Sequence, residues 1–174
     1  THRVLDLCTG NGSLAVLAAM AYPEVLVDAA DISNDALDVA RINVEKHGLS
    51  DRITLLHSDG LQSVRGPYDL ILCNPPYVNA DAMKNLPAEY RAEPELALAS
   101  GDDGMDFIRA LLATLRAEPD RHLTPDAVLV LEVGNERPNF VRAFPGLPVI
   151  WLDTTSGIDQ LLLITRDALL LELT

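Results

Sequence analysis

Residues 4–13 read Val4-Leu5-Asp6-Leu7-Cys8-Thr9-Gly10-Asn11-Gly12-Ser13. Val4–Cys8 is an apolar run broken only by Asp6, the pattern of a strand covered on both faces. Gly10 and Gly12 then sit where that strand must turn sharply. The stretch Ser13–Ala21, rich in Ala, Leu and Met, predicts a helix directly after the turn. Strand, glycine turn and helix in this order open a βα unit. Its glycines let the backbone approach a ligand, and its free helix N–H groups favour a polar or anionic one.

The same grammar repeats outward from this stretch. Further strands are predicted at Val25–Asp31, Ile53–His57, Tyr68–Cys73, Ala127–Val133, Val149–Asp153 and Gln160–Thr165, most of them continuous apolar runs. Between them lie predicted helices at Asp35–His47, Met105–Ala117 and Arg137–Phe144. In the first of these, Leu37, Ala40 and Val44 form an i, i+3, i+7 stripe, Ser33 or Asn34 can cap the start, and Gly48 stands where a C′ glycine belongs. Alternating strands and helices predict an α/β fold, a doubly wound sheet of seven strands. The last two strands are joined by a short loop through Gly157, too short for a crossover helix, so the last strand is expected to be antiparallel. The segment from Asn74 to about Gly104 has no clear element, and a loop of that length is usually functional. The chain opens almost at once on what reads as a central strand, so we expect a catalytic domain over 1–174 that has lost a segment upstream.

Length and composition narrow the function classes. A chain of 174 residues with 48% hydrophobic and 22% charged residues is one soluble domain and not a disordered one. Its apolar runs are far shorter than the ~20 residues of a membrane span, so no membrane partner is expected. Two cysteines cannot form a disulfide framework, and no signal peptide is visible. A cytoplasmic protein is expected. The four histidines are scattered, and no Cys/His spacing points to a metal. The net charge is −13, and residues 81–106 hold seven acids against two bases. Without a basic patch, direct nucleic-acid binding is not expected. The acidic stretch reads as a solvated face or as a surface for a basic partner.

Three acids mark a cofactor site at the strand C-terminal edge. Asp31 closes the second strand, 19 residues after Gly12, where a carboxylate can accept from two ribose hydroxyls. Gly10, Gly12 and Ala15 also fit the dinucleotide fingerprint, so a nicotinamide enzyme is formally open. Asp6 is not called for by that fingerprint. A carboxylate inside the strand could orient the turn and take up an ammonium group, as an amino-acid-bearing cofactor such as S-adenosylmethionine would supply. At the end of the third strand, Ser58-Asp59-Gly60 places a third acid where it could accept from an adenine amino group or cap a helix.

The most specific piece is Asn74-Pro75-Pro76-Tyr77, directly after the strand Tyr68–Cys73. The two prolines stiffen the segment and remove two backbone donors. The Asn74 side-chain carbonyl and the Pro75 backbone carbonyl are then two acceptors for one planar –NH₂ group, and Tyr77 can pack flat against it. Taken together, the Asp6–Gly12 turn, Asp31, Ser58-Asp59 and Asn74–Tyr77 resemble a class I S-adenosylmethionine-dependent methyltransferase of the Rossmann-like fold. The stretches Tyr77–Met83, Leu86–Gly101 and Leu131–Asn135 are similar to the bacterial protein-glutamine methyltransferases, and most to the branch acting on ribosomal large-subunit protein three.

The resemblance implies S-adenosyl-L-methionine as cofactor, held by Asp6, Cys8, Thr9, Gly10, Asn11, Gly12, Asp31, Ile32, Ser58, Asp59, Gly60 and Asn74. It implies Asn74, Pro75 and Tyr77 as catalytic residues. Substrate would be held by Asn74, Pro75, Pro76 and Tyr77, with Arg91 and Glu93 of the long segment bracing it. A ribosomal large-subunit protein would be the partner, docked with the help of an N-terminal helical domain that this chain lacks. Cys8 stands where the family turn usually has its first glycine. The competing readings are an amino-group methyltransferase acting on nucleic acid, the related release-factor glutamine methyltransferase, a non-catalytic cofactor-binding module and a nicotinamide oxidoreductase.

Overall fold

The computed structural model describes residues 1–76, 101–155 and 157–171. In chain order the elements are β1 (Arg3–Leu7), α1 (Ser13–Ala21), β2 (Leu26–Asp31), α2 (Asn34–Lys46), β3 (Ile53–His57) and β4 (Tyr68–Cys73). There follow α3 (Asp106–Ala117), α4 (Pro119–His122), β5 (Leu123–Glu132), α5 (Arg137–Ala143), β6 (Ile150–Thr154), β7 (Gly157–Thr165) and α6 (Arg166–Leu170). The seven strands form one sheet in the order β3-β2-β1-β4-β5-β7-β6. The β1–β2, β1–β4, β2–β3 and β4–β5 pairs are parallel, whereas β7 runs antiparallel to both β5 and β6. This is the doubly wound sheet the sequence predicts, with its antiparallel last strand slotted between β5 and β6.

The order in which strands are added reverses between β1 and β4, the switch point where open α/β sheets bind ligands beyond their strand ends. Two apolar cores flank the sheet. On one face α1 and α2 bury Ala15, Val16, Ala19 and Val44 against Val4, Val27 and Ala29. On the other, Ile108, Leu112 and Leu115 of α3, Phe140 of α5 and Leu169 of α6 pack with Leu5, Leu7, Ile71, Leu129 and Leu131. Trp151 is partly buried there, edge-on to Phe140 at 5.8 Å between ring centroids, with the Arg137 guanidinium over it at 4.6 Å. In α2 the expected stripe of Leu37, Ala40 and Val44 is the buried one, and the Ser33 hydroxyl caps the start by accepting from the Ala36 N–H.

Three departures from expectation have identifiable reasons. Strand β5 begins at Leu123, four residues before the expected start, because Thr124-Pro125-Asp126 is a bulge rather than a turn. Tyr68 pairs with Leu123, the register shifts, and pairing resumes at Leu70 with Val128. The short helices α4 and α6 were not expected. Pro119 starts α4, and the Thr165 hydroxyl caps α6 by accepting from the Ala168 N–H at 3.1 Å.

Candidate active site

The turn after β1 is held from three sides. Within it, the Gly12 N–H donates to the Thr9 carbonyl at 2.9 Å. From β2, the Ala30 carbonyl accepts from the Thr9 N–H at 3.0 Å. From α2, the Asn43 side-chain amide donates to the Asn11 carbonyl at 2.8 Å. Asn43 escapes sequence reading, although it lies one turn beyond Ala40 on the inner side of α2. The Asn11 side chain accepts from the Ser13 N–H and hydroxyl, and so opens α1 where Gly12 offers no cap.

Gly12 has φ +80, and a Cβ built on it would stand 3.0 Å from the Ala40 Cβ. Both left-handed strain and crowding therefore exclude a side chain there. Gly12→Ala is expected to destabilise the unliganded protein by about 2–4 kcal/mol. Gly10 shares the positive φ but has no atom within 4 Å of its Cβ position. Gly10→Ala should thus cost only about 1–2 kcal/mol. Urea unfolding of the two variants reads the difference; equal losses would remove the Ala40 contact from the explanation.

Asp6 is fully buried in β1. One carboxylate oxygen accepts from the Thr9 hydroxyl at 2.5 Å and from the Ala15 N–H at 2.9 Å. It thereby orients both the turn and the start of α1, as its position in the sequence suggests. The other oxygen, Oδ1, is buried with no partner. Burial pushes this carboxyl up to about 6, more than the two hydrogen bonds lower it. An orphaned buried acceptor at a ligand-binding turn is a place for a donor, and a cation suits it best.

Asp31 braces the site as well as lining it. Its two oxygens accept from the Gly10 N–H at 2.8 Å and the Ser33 N–H at 2.9 Å. Each oxygen keeps a second lone pair, enough for two hydroxyls. Ile32, next in line, is an exposed apolar side chain. Its carbonyl lies 2.9 Å from the His57 ring Nε2, a contact between the ends of β2 and β3 that sequence spacing does not reveal. Ser58 is spent within its own turn, donating to the Gly60 carbonyl and accepting from the Ser63 N–H. Asp59 is exposed, and one of its oxygens accepts from Gln62 at 3.1 Å.

Strand β4 runs parallel beside β1, with Cys73 opposite Leu7. Asn74-Pro75-Pro76 therefore leaves the sheet next to the Cys8–Gly12 turn. Asn74 is exposed, Pro75 buried and Pro76 half-buried. Tyr77, Arg91 and Glu93 lie outside the described residues. The structure thus gathers the Cys8–Gly12 turn, Asp6, Asp31, Ile32, Ser58–Gly60 and Asn74–Pro76 along the C-terminal ends of four neighbouring strands, β1 to β4. Among the described residues no cluster of His, Cys, Asp or Glu could hold a metal, and no helix is long and apolar enough to cross a membrane.

The family model for the methyltransferase small domain matches residues 1–98. The chain belongs to this methyltransferase family. Solved structures give the same fold. The hMettl16 catalytic domain, solved with a MAT2A 3′UTR hairpin, aligns with TM-score 0.67 at 18% identity over 93% of this chain and 62% of that one. A ribosomal protein L11 methylase from Lactobacillus delbrueckii subsp. bulgaricus aligns with TM-score 0.59 at 21% identity over 94% and 68%. Among curated relatives, a ribosomal protein uL3 glutamine methyltransferase from Bordetella pertussis is 54% identical over 97% of this chain and 55% of its own length. One so named from Neisseria meningitidis serogroup A is 48% identical over 97% and 54%. The chain spans about half the length of these relatives.

S-adenosylmethionine is the methyl donor of this class I methyltransferase fold. The residues present fit it. The unpartnered Asp6 oxygen suits an ammonium, the spare lone pairs of Asp31 suit a diol, and Ile32 offers an apolar surface for a planar ring.

Proposed function

We propose that this methyltransferase domain methylates the side-chain amide nitrogen of a glutamine in a ribosomal large-subunit protein. The observation that carries the reading is the position of Asn74-Pro75-Pro76, leaving β4 directly beside the cofactor turn of β1. The names of the curated relatives support the glutamine and the ribosomal protein, and nothing in the site favours a nucleic acid or a release factor over them. The cytoplasm, where ribosomal proteins are made, is the proposed location. The relatives are nearly twice as long as this chain, and we propose that an N-terminal helical domain shares in docking the substrate.

The cofactor supplies an electrophilic methyl group on a sulfonium. The rest is positioning. An amide nitrogen is a weak nucleophile because its lone pair is delocalised into the carbonyl. The Asn74 side-chain carbonyl and the Pro75 carbonyl accept hydrogen bonds from its two N–H groups, which draws electron density onto nitrogen and fixes the –NH₂ plane. Prolines at 75 and 76 keep these acceptors rigid. The resemblance assigns Tyr77 to packing against the planar group, and Arg91 and Glu93 to substrate binding. No general base is needed before transfer. Orientation alone can supply several kcal/mol of barrier lowering. The net charge of −13 suits a basic ribosomal protein as substrate.

Incubation with labelled S-adenosylmethionine, ribosomal proteins from unmethylated cells and, separately, DNA tests the reading. Label on a glutamine of one large-subunit protein is the expected result. Label on DNA overturns the substrate class. If this chain labels nothing while the longer natural polypeptide labels protein, docking is supplied from outside the domain.

A further inference from the structure

The chain has two cysteines, and the fold brings them together at the cofactor turn. Cys73 is buried at the end of β4, opposite Leu7 of β1. Strand alternation would send residue 8 to the other face of the sheet from Leu7 and Cys73. Instead Cys8 adopts φ +60. Its side chain then packs against the same core cluster that contains Leu7 and Cys73, and its thiol lies near enough to that of Cys73 to help push it up. A left-handed residue other than glycine costs about 1–2 kcal/mol, and glycine would make this turn without the cost. The strained conformation thus turns the Cys8 side chain toward the cluster that holds Cys73. Both are free, Cys8 half-buried and Cys73 buried.

We infer that Cys8 and Cys73 form a reversible disulfide under a peroxide oxidant, and that this bond switches off cofactor binding. Cys8 is the sulfur that an oxidant reaches. Burial pushes the Cys73 thiol up, which keeps it protonated until it reacts. The Cys8 sulfur gives up its proton and attacks one peroxide oxygen, the O–O bond breaks, and a sulfenic acid forms as the other oxygen leaves with that proton as water. The Cys73 sulfur then attacks the Cys8 sulfur. The S–S bond forms, the S–O bond breaks, and the oxygen departs as water with the Cys73 proton. The two sulfurs lose two electrons and the peroxide gains them. A dithiol reverses the change by exchange.

The effect on binding follows from the neighbours of each cysteine. A disulfide is shorter than any contact between two thiols, so it draws residue 8 toward β4. Thr9 and Gly10 follow directly, and their N–H groups are the ones clamped by Ala30 and Asp31. Asn74 follows Cys73, so the same bond strains the substrate acceptor.

This inference rests on the cofactor reading above. Its test is calorimetric binding of S-adenosylhomocysteine to the natural full-length protein, reduced, treated with hydrogen peroxide, and re-reduced with dithiothreitol. Peptide mass mapping is run on each sample. The expected result is a Cys8–Cys73 cross-link, an affinity at least about tenfold weaker, and full recovery on reduction. Cys73→Ala should bind the probe equally well before and after mild peroxide. A cross-link without loss of affinity overturns the inference, as does oxidation of Cys8 with no cross-link, or unfolding on oxidation. Failure of the reduced protein to bind the probe overturns the cofactor assignment instead, while the mass map still reports whether the bond forms.

Discussion

Asn74→Ala is expected to lower kcat by about 10²–10³-fold and to leave S-adenosylhomocysteine affinity within about threefold. The side-chain carbonyl is removed, and with it one of two acceptors that hold the –NH₂ plane. That interaction strengthens as positive charge develops on nitrogen, so its loss appears in kcat more than in binding. Asn74 is exposed at the end of β4, so truncating it leaves no hole in the core. Single-turnover methylation beside a binding titration separates the two quantities. Equal losses in both would make Asn74 a cofactor residue rather than a catalytic one.

Asp6→Asn is expected to move stability and binding in opposite directions. A carboxyl raised from 3.8 to about 6 is stabilised in its neutral form. Its contribution to folding is therefore fully present below pH ~4 and is lost as pH rises through about 6. Holding it ionised at neutral pH costs about 3 kcal/mol. Asparagine keeps an acceptor for Thr9 and Ala15 but carries no charge, so the unliganded variant should melt several degrees higher than the parent. Cofactor affinity should fall by about 2–5 kcal/mol, because an ammonium loses its buried counter-ion. In the parent, affinity should weaken as pH drops below about 6, by up to tenfold per unit, and Asp6→Asn should flatten that profile. Thermal melts and titrations between pH 5 and 8 read both effects. An unchanged affinity would give the ammonium another partner.

Much of the fold is legible because its strands are covered on both faces. Runs such as Ile53–His57 and Tyr68–Cys73 have few other solutions, and their observed bounds match those expected. The start of β5 is not legible, because Thr124-Pro125-Asp126 has the composition of a turn. Tyr68, paired with Leu123, and Asp69, accepting from the Thr124 hydroxyl at 3.0 Å, keep it in the sheet. The site divides in the same way. Asp6, Asp31 and Asn74 stand out because polar residues interrupt or close apolar strands. What they hold is less legible. Asp31 reads as a ribose acceptor, yet the turn also uses it to fix Gly10 and Ser33. Asn43 braces the turn and His57 joins the ends of β2 and β3 across long sequence gaps, and no local pattern marks them.

The pairing of β1 with β4 also dictates when during folding the site comes into being. Leu7 meets Cys73 across 66 positions of chain, whereas Thr154 meets Gly157 across a three-residue step. The β6–β7 hairpin can close on a microsecond scale from local contacts, without the rest of the sheet. The central pair must first pay the loop entropy of everything between, including two helices and two strands. A nascent chain released only as far as β3 already carries the whole cofactor turn, but nothing aligns Asn74 against it. The alignment of Asn74 with the cofactor turn is therefore a property of the assembled sheet.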